Sequence, residues 1–397
     1  MLNVLILVAV LITGGVLIYP RLARATLWRA TITPLASIIG SGFLVIGPIL
    51  HGAFGYMSPV VMAVLCGGAY LFGAAIRQNI AEIDAAPDAR TYTELRLDTL
   101  ASWALAFAYV ISVAYYLNLF GEFGLSMTEL NDRFHARLLT SGVFLVILGI
   151  GWLYGFNALE RMEQVAVSIK LAIIAGLLFG LGWYFVGNVG RGGLVIEPPA
   201  LRGWAAATLV FGLLVTVQGF ETSRYLGDEY DAATRQRSMK TAQWVSSAIY
   251  MLYIALLTFS FEQGEISMSE TAIIQLMGIV APILSVLLVA AALSAQFSAA
   301  VADTSGAGGL ISELTGHRLK PGGAYVILVG SGLVLTWTSD VFQIISYASR
   351  AFAAYYGLQS GIAAMGFRRR GQPAQAVLFG LLAVLGAVIT VFGASVE

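Results

Sequence analysis

The chain has 397 residues, of which 58% are hydrophobic and 11% charged, and its 22 basic and 22 acidic residues cancel. Soluble globular domains carry about 25% charged residues, so this composition excludes a soluble protein. The balanced charge argues against nucleic-acid binding. One cysteine, Cys66, excludes an internal disulfide, and three scattered histidines argue against a transition-metal site. No glycine-rich phosphate loop ending in Lys-Ser or Lys-Thr is present, so no nucleotide or organic cofactor is expected.

Apolar stretches long enough to cross about 30 Å of hydrocarbon recur twelve times along the chain. The sequence therefore predicts an all-α integral membrane protein. The first stretch has no positive n-region and no small-residue cleavage site, so a retained helix is predicted rather than a signal peptide. The predicted spans are 2–20, 31–50, 56–79, 99–125, 137–156, 160–187, 203–224, 241–261, 272–303, 322–339, 341–366 and 374–394.

The basic residues predict the orientation of the chain. With the segment 21–30 in the cytoplasm and the spans alternating from there, sixteen of the 22 basic residues lie on the cytoplasmic side. Four lie outside, and the remaining two, Lys170 and Arg350, lie within spans. Cytoplasmic loops carry an excess of Lys and Arg. The predicted location is therefore a plasma or inner membrane, with both termini extracytoplasmic.

Two of the predicted spans are interrupted. The second contains Gly40-Ser41-Gly42, and the seventh contains Gln218-Gly219-Phe220-Glu221. Each interruption opens a block of five spans, and an odd number makes the two blocks insert with opposite topology, as in inverted-repeat transporters. The predicted organisation is an extra helix and basic linker at 1–30, five-helix repeats at 31–187 and 203–366, and an extra helix at 374–394.

Exposed backbone groups at the first interruption predict a binding site. A helix break in hydrocarbon survives only where it lines a cavity walled by protein. The N–H groups of Ser41, Gly42 and Phe43 then stand at the N-terminus of a half-helix, which suits a carboxylate. Ile39 and Gly40 belong to the same stretch, and glycine lets a substrate approach the backbone closely. Helix packing through small residues is the alternative interpretation.

Three motifs resemble those of the amino acid–polyamine–organocation (APC) superfamily of permeases. The stretch 34–48 resembles their first core helix. The stretch 160–170 resembles the entry to their fifth core helix, with its recurrent lysine. Gly219-Phe220-Glu221, followed by the acidic pair at 228–229 and the basic stretch 235–240, resembles their sixth. The resemblance covers about 31–370 and implies the LeuT-type fold of these permeases, with one extra helix at each end.

The second interruption is expected to bind the ammonium end of a substrate whose carboxylate lies at the first. The resemblance to the family implies the same. Residues 218–221 are expected to bring carbonyl groups to a substrate ammonium, with Phe220 as a thin lid. Packing of this ring on lipid or on a neighbouring helix is the alternative. Glu221 is expected either to bind a proton or to tie the unwound segment together. Tyr109 and Tyr116 share a helix face and are expected to close the pocket from outside or to pack in the core.

Lys170 lies about ten residues, or roughly 15 Å of helical rise, inside its predicted span. A lysine at that depth is costly and does not snorkel easily. In sodium-coupled relatives a cation bridges the first and eighth core helices. The resemblance implies that the Lys170 ammonium takes its place, contacting carbonyls near 36–39 and a hydroxyl from Ser294 or Ser298. Carriage of a proton by Lys170 and a permanent structural cation are further interpretations.

Two more charged residues are expected inside the protein. Arg350 cannot realistically deprotonate and therefore needs a partner, for which Glu221, Glu122 and Asp303 are candidates. Recognition of an acidic substrate group is the alternative to such an ion pair. Asp303 is expected to be a helix-end residue that faces water rather than a gate on the cytoplasmic side.

These features predict a secondary transporter that moves amino acids or related small zwitterions by alternating access. The expected mode is sodium-independent, by proton symport or exchange. The expected partners are a small-molecule substrate, the lipid bilayer and H⁺, with no metal, cofactor or nucleic acid. Sodium coupling through Ser294 and Ser298 is one alternative, and a non-transporting membrane sensor or subunit with the same fold is another. An intramembrane enzyme is disfavoured because the histidines and Cys66 are dispersed.

Overall fold

The computed structural model describes residues 1–40, 42–86, 90–153, 157–227, 230–262, 264, 269 and 271–395, apart from the side chains of 153 and 157–166. Within these ranges the chain is helical and contains no strand. The helices are α1 (Leu2–Ile18), α2 (Pro20–Ala23), α3 (Thr26–Gly40), α4 (Phe43–Phe54), α5 (Ser58–Ala85), α6 (Tyr92–Leu125), α7 (Arg133–Leu153), α8 (Asn157–Val189), α9 (Gly203–Gly212), α10 (Ala232–Thr258), α11 (Ala272–Val280), α12 (Pro282–Leu314), α13 (Pro321–Thr338), α14 (Val341–Arg369) and α15 (Pro373–Phe392).

Side-chain caps determine where two of the long helices begin. Thr91 and Glu94 accept hydrogen bonds from each other's backbone N–H groups at the start of α6. Asp340 and Gln343 form the same reciprocal pair at the start of α14. Such capping boxes satisfy N–H groups that have no partner within the helix. Both helices therefore start at residues that the local sequence specifies.

The membrane character predicted from composition is confirmed, and one predicted span is wrong. Eight stretches of the described chain are long and apolar enough to cross a membrane. The stretch 272–303 is not one helix, because the chain turns at Ala281 between the short α11 and the longer α12. Ala281 is extended, with φ −164° and ψ 128°. Pro282 is the reason, since proline disfavours helical geometry in the residue before it and suits the first turn of a helix.

Helix packing divides the core into two groups. The helices α3, α4, α5 and α10 and the irregular segment 213–225 contact one another and are called the bundle. The helices α6, α7, α12 and α13 contact one another and are called the scaffold. Both α8 and α14 contact members of each group, while α1 packs along α8 and α15 along α14. Both interruptions therefore lie in the bundle.

Two glycines bring α15 against α14. A Cβ atom placed on Gly386 would lie 2.6 Å from the Cα atom of Gly357 and 2.9 Å from the carbonyl oxygen of Ala353. Small residues of this kind let helix backbones approach closely inside a membrane. Shape complementarity at this crossing therefore fixes the last helix on the core.

Gly386→Ala is expected to weaken the packing of α15 on α14, because its methyl group overlaps backbone atoms that cannot rotate away. The expected loss of stability is about 1–3 kcal/mol, measured as a lower unfolding temperature of the purified protein in detergent. Gly380→Ala on the same helix is the matched control, since no atom lies within 4 Å of the new methyl group. Equal unfolding temperatures for the two variants would contradict the close crossing.

Candidate functional site

The first helix interruption is confirmed at the predicted position. The helix α3 ends at Gly40 and α4 begins at Phe43. Between them Gly42 has φ +151°, a conformation that residues with side chains rarely adopt. Ser41, which is predicted to supply one of the N–H groups, lies outside the described residues. Ile39 and Phe43 are buried, so protein rather than lipid surrounds the break, as a break within hydrocarbon requires.

The second interruption is confirmed but begins earlier than predicted. The helix α9 already ends at Gly212, and short 3₁₀ turns at 214–217 and 220–225 flank Gly219. Gly219 has φ +114°. A Cβ atom there would lie 2.6 Å from Ser37 Cβ and 2.7 Å from Ile38 N. The two interruptions therefore meet backbone to backbone, which is the arrangement of paired discontinuous helices.

A tyrosine on α10 links the two interruptions. The hydroxyl group of Tyr250 lies 3.0 Å from the carbonyl oxygen of Ile38 and 2.6 Å from that of Thr216. One carbonyl belongs to the last turn of α3 and the other to the segment before Gly219. Because breaking a helix leaves carbonyl groups without partners, this hydroxyl shares its one proton between a carbonyl from each break and holds the two breaks together.

A serine on α14 satisfies the start of the second interruption. The Ser349 hydroxyl donates to the carbonyl of Gly212 at 2.6 Å and accepts the N–H of Val215 at 2.8 Å. Sequence reasoning missed both Ser349 and Tyr250. A hydroxyl group within an apolar helix is a visible signal, but nothing local indicates which backbone group it reaches.

Lys170 lies beside the first interruption, where the resemblance places it. The side chain is buried, with 4% exposure, and its Nζ donates to the carbonyl oxygen of Ala36 at 2.8 Å. A Cβ atom on Gly40 would lie 3.5 Å from the same Nζ. Ser294 and Ser298 are half-buried on α12, and their contact with the ammonium stays a prediction. The carbonyl end of a helix attracts cations, so the end of α3 stabilises this charge.

Glu221 is fully buried and braces the second interruption. Its Oε2 accepts hydrogen bonds from the N–H of Gly219 at 3.0 Å and from the hydroxyl of Tyr356 at 2.7 Å. Its Oε1 has no hydrogen-bond partner among the described residues. The first oxygen ties the unwound segment together, as one interpretation of this residue expects. The second is available to a proton or to a donor group of a ligand.

Aromatic side chains enclose the same region. Phe220 is buried and stacks on Tyr356 with the ring centroids 5.0 Å apart. Gln218 donates from Nε2 to the hydroxyl of Tyr116 at 2.7 Å, and Tyr109 is buried on the same helix as Tyr116. The bond between Gln218 and Tyr116 joins the bundle to the scaffold at the level of the second interruption.

Asp303 is not a helix-end residue that faces water, so that prediction is wrong. It lies within α12, is 2% exposed, and accepts a hydrogen bond from the hydroxyl of Ser112 on α6. The cause is that α12 continues well past the predicted end of the span at 303. Asp303 and Glu221 are both close enough to Tyr109 and Tyr116 to interact with them electrostatically. One carboxylate from the scaffold and one from the bundle thus lie in the same region.

The predicted ion pair of Arg350 is also wrong. Its Nε donates to the carbonyl oxygen of Thr390 at 2.7 Å, rather than to Glu221, Glu122 or Asp303. Carbonyls in the last turn of a helix lack helical partners and carry partial negative charge, so the end of α15 stabilises the guanidinium group. Glu122 is half-buried on α6, and the other two carboxylates bond to hydroxyl or N–H groups.

A small cavity borders both interruptions in this conformation. Its volume is about 10 Å³, Ile38 and Val217 are among the residues that line it, and such a volume admits about one water molecule. Among the described residues, no group of three or more His, Cys, Asp or Glu side chains is placed to hold a metal ion. Entry of a molecule larger than water into the cavity beside Ile38 therefore requires the surrounding helices to move apart.

Comparison with known proteins agrees with this architecture. Residues 20–393 match a family described as an APC superfamily transporter. The chain therefore belongs to the APC superfamily of transporters, and the resemblance of the motifs at 34–48, 160–170 and 219–240 is confirmed at the level of the family.

The similarity to known proteins extends over nearly the whole chain. An uncharacterized protein of Aquifex aeolicus (strain VF5) is 41% identical over 384 residues, which are 95% of this chain and 93% of that protein. Two crystal structures of variants of the Eremococcus coleocola manganese transporter have TM-scores of 0.59 and 0.58. Each is 14% identical in sequence, and the match covers 94% of this chain and 85% of theirs. At this identity the likeness shows a shared transporter fold and nothing about the substrate.

Gly219→Ala is expected to destabilise the protein more than Gly203→Ala. Both glycines have positive φ, +114° and +63°, so each substitution strains the backbone by about 1–3 kcal/mol. Only the methyl group at position 219 also collides with Ser37 and Ile38, because nothing lies within 4 Å at position 203. Thermal unfolding of the two purified variants measures the difference. Equal losses would count against contact between the interruptions.

Proposed function

We propose that this protein is a secondary active transporter of amino acids or related small zwitterions. The observation that carries the proposal is the direct meeting of two interrupted helices within the bundle. The N-terminus of α4 offers N–H groups to a carboxylate. The segment around Gly219 offers carbonyl groups to an ammonium group, and so does the Glu221 oxygen that has no partner among the described residues. A site of this kind reads the head group that all amino acids share.

Alternating access is the proposed mechanism. The bundle contains both interruptions, and it contacts a separate scaffold of four helices. Tilting of one group against the other would open the site to each side of the membrane in turn. Two five-helix repeats at 31–187 and 203–366, each opened by an interrupted helix, are the proposed organisation. The basic residues support a cytoplasmic location for the loops that follow α1 and α5 and extracytoplasmic termini.

Lys170 supports a sodium-independent mode. Its ammonium bonds to the carbonyl of Ala36 at the end of α3, where a permanent cation supplies the charge that sodium brings in coupled relatives. Sodium coupling would require Lys170 to lie elsewhere. Within the described part of the chain Glu221 Oε1 has no hydrogen-bond partner, which supports proton symport or exchange, since a buried carboxylate is a suitable proton acceptor.

Manganese transport is a second candidate. The similar structures from Eremococcus coleocola are described as a manganese transporter, and Glu221 and Asp303 are the oxygen donors that hard divalent cations prefer. The described residues contain no group of three candidate ligands, which favours the zwitterion.

A thermal unfolding screen in sodium-free buffer is expected to identify the substrate class. One or more amino acids are expected to raise the unfolding temperature, because a ligand at about 100 times its Kd stabilises the native state by roughly 2.7 kcal/mol. The N-acetylated and the decarboxylated forms of the same amino acid are the controls. Neither is expected to raise the unfolding temperature, since the first lacks the ammonium group and the second lacks the carboxylate. Stabilisation by Mn²⁺ with no response to any amino acid would replace this proposal by the second candidate.

Lys170→Ala is expected to abolish sodium-free uptake of that amino acid into reconstituted vesicles, because it removes the fixed cation at the end of α3. Lys240→Ala is the matched control: it removes the same charge from an exposed position on α10 and is expected to keep uptake. Counterflow of labelled substrate distinguishes a transporter from a sensor, which binds without exchange. Full sodium-free uptake by Lys170→Ala would contradict the assignment.

A further inference from the structure

A group of charged residues lies at the end of the protein where α5 ends and α6 begins. Asp98, near the start of α6, accepts hydrogen bonds from Arg224 at 2.6 Å and from Arg90 at 3.0 Å. The side chains of Arg224 and Arg90 are only 10% and 9% exposed, and that of Asp98 is 20% exposed. Arg224 also donates to Gln359 of α14. These ion pairs are largely shielded from water. Shielded pairs attract each other more strongly than pairs on an open surface.

A second set of ion pairs lies at the same end. Arg369, in the last turn of α14, bonds to Glu82 near the end of α5 and to Glu94 in the first turn of α6. Arg370 adds a second bond to Glu82 at 3.1 Å. The side chain of Glu94 is 2% exposed. One guanidinium group therefore holds two carboxylates that belong to different helices.

Both sets join the bundle to the scaffold. Arg224 lies near the end of the irregular segment 213–225, and Glu82 lies on α5, so both belong to the bundle. Asp98 and Glu94 lie on α6, which belongs to the scaffold. The Asp98–Arg224 pair crosses directly, and Arg369 crosses by bonding to one carboxylate from each group. No separation of bundle and scaffold at this end is possible while these bonds persist.

We propose that Asp98, Arg224, Glu82, Glu94 and Arg369 form a latch that keeps the cytoplasmic end of the protein closed. The inference rests on the proposed alternating access, which requires the two groups to separate at each end in turn. The basic residues predict that this end faces the cytoplasm. Release of substrate to the cytoplasm breaks the latch, and water then solvates the separated charges. The latch sets the ratio of closed to open states without contacting the substrate.

Distance measurements between spin labels on the two groups test the latch. With Cys66 replaced by alanine, labels are placed on cysteines at two exposed positions, Thr99 of α6 and Ala233 of α10. Asp98→Asn removes one charge without changing size. It is expected to raise the ratio of the longer-distance to the shorter-distance population at least about fivefold, a typical strength for coupled transitions. Arg369→Gln, which breaks the second set, is expected to shift the ratio in the same direction.

Asp84→Asn is the matched control, because Asp84 lies on α5 near Glu82 but is exposed. It is expected to leave the distance distribution as in the parent protein. Unchanged distributions in folded Asp98→Asn and Arg369→Gln would overturn the latch, even where the parent protein transports amino acids. Shifted distributions in a protein that neither binds nor exchanges any amino acid would retain the latch and refute the proposed function. Arg369→Gln decides the question alone if Asp98→Asn does not fold.

Discussion

The structure depends on one constraint: a helix interrupted within hydrocarbon must find hydrogen-bond partners for its freed backbone groups inside the protein. Among the described residues, Glu221 provides such a partner from within the second interrupted segment, and three polar side chains provide them from neighbouring helices. Tyr250 serves a carbonyl from each interruption, Lys170 serves Ala36, and Ser349 serves the start of the second break. These partners come from α10, α8 and α14. The two interruptions are therefore stabilised by side chains from three surrounding helices, and these helices must pack beside them.

The charged residues follow a related logic, because charge is tolerated only where protein groups or water stabilise it. Near the interruptions lie Lys170, Glu221 and Asp303, each bonded to backbone or hydroxyl groups. Ion pairs between guanidinium and carboxylate groups lie instead at the ends of α5, α6 and α14. In the proposed account the centre recognises a small molecule, while the ion pairs at the end control when the two helix groups separate. Specificity and gating would then occupy different residues, so that each could be changed without the other.

Much of this fold could be predicted from the sequence because its signals are local. Apolar length indicated the spans, and glycines within them indicated both interruptions. The turn at Ala281 also had a local signal in Pro282, which the prediction of a single span at 272–303 overlooked. The partners of Asp303 and Arg350 had no local signal in the sequence. Counting residues along a helix gives depth in the membrane, but Ser112 lies 191 residues from Asp303 and Thr390 lies on a different helix from Arg350. Which groups meet depends on how whole helices pack.

A cryo-electron microscopy structure with a bound amino acid tests the central claim most directly. The amino acid would be the one that most raises the unfolding temperature. The account predicts its carboxylate at the N-terminus of α4, beside Gly42, and its ammonium beside the carbonyls around Gly219. An amino acid bound at any other place, with the two interruptions still packed against each other, would contradict the claim that their junction is the substrate site.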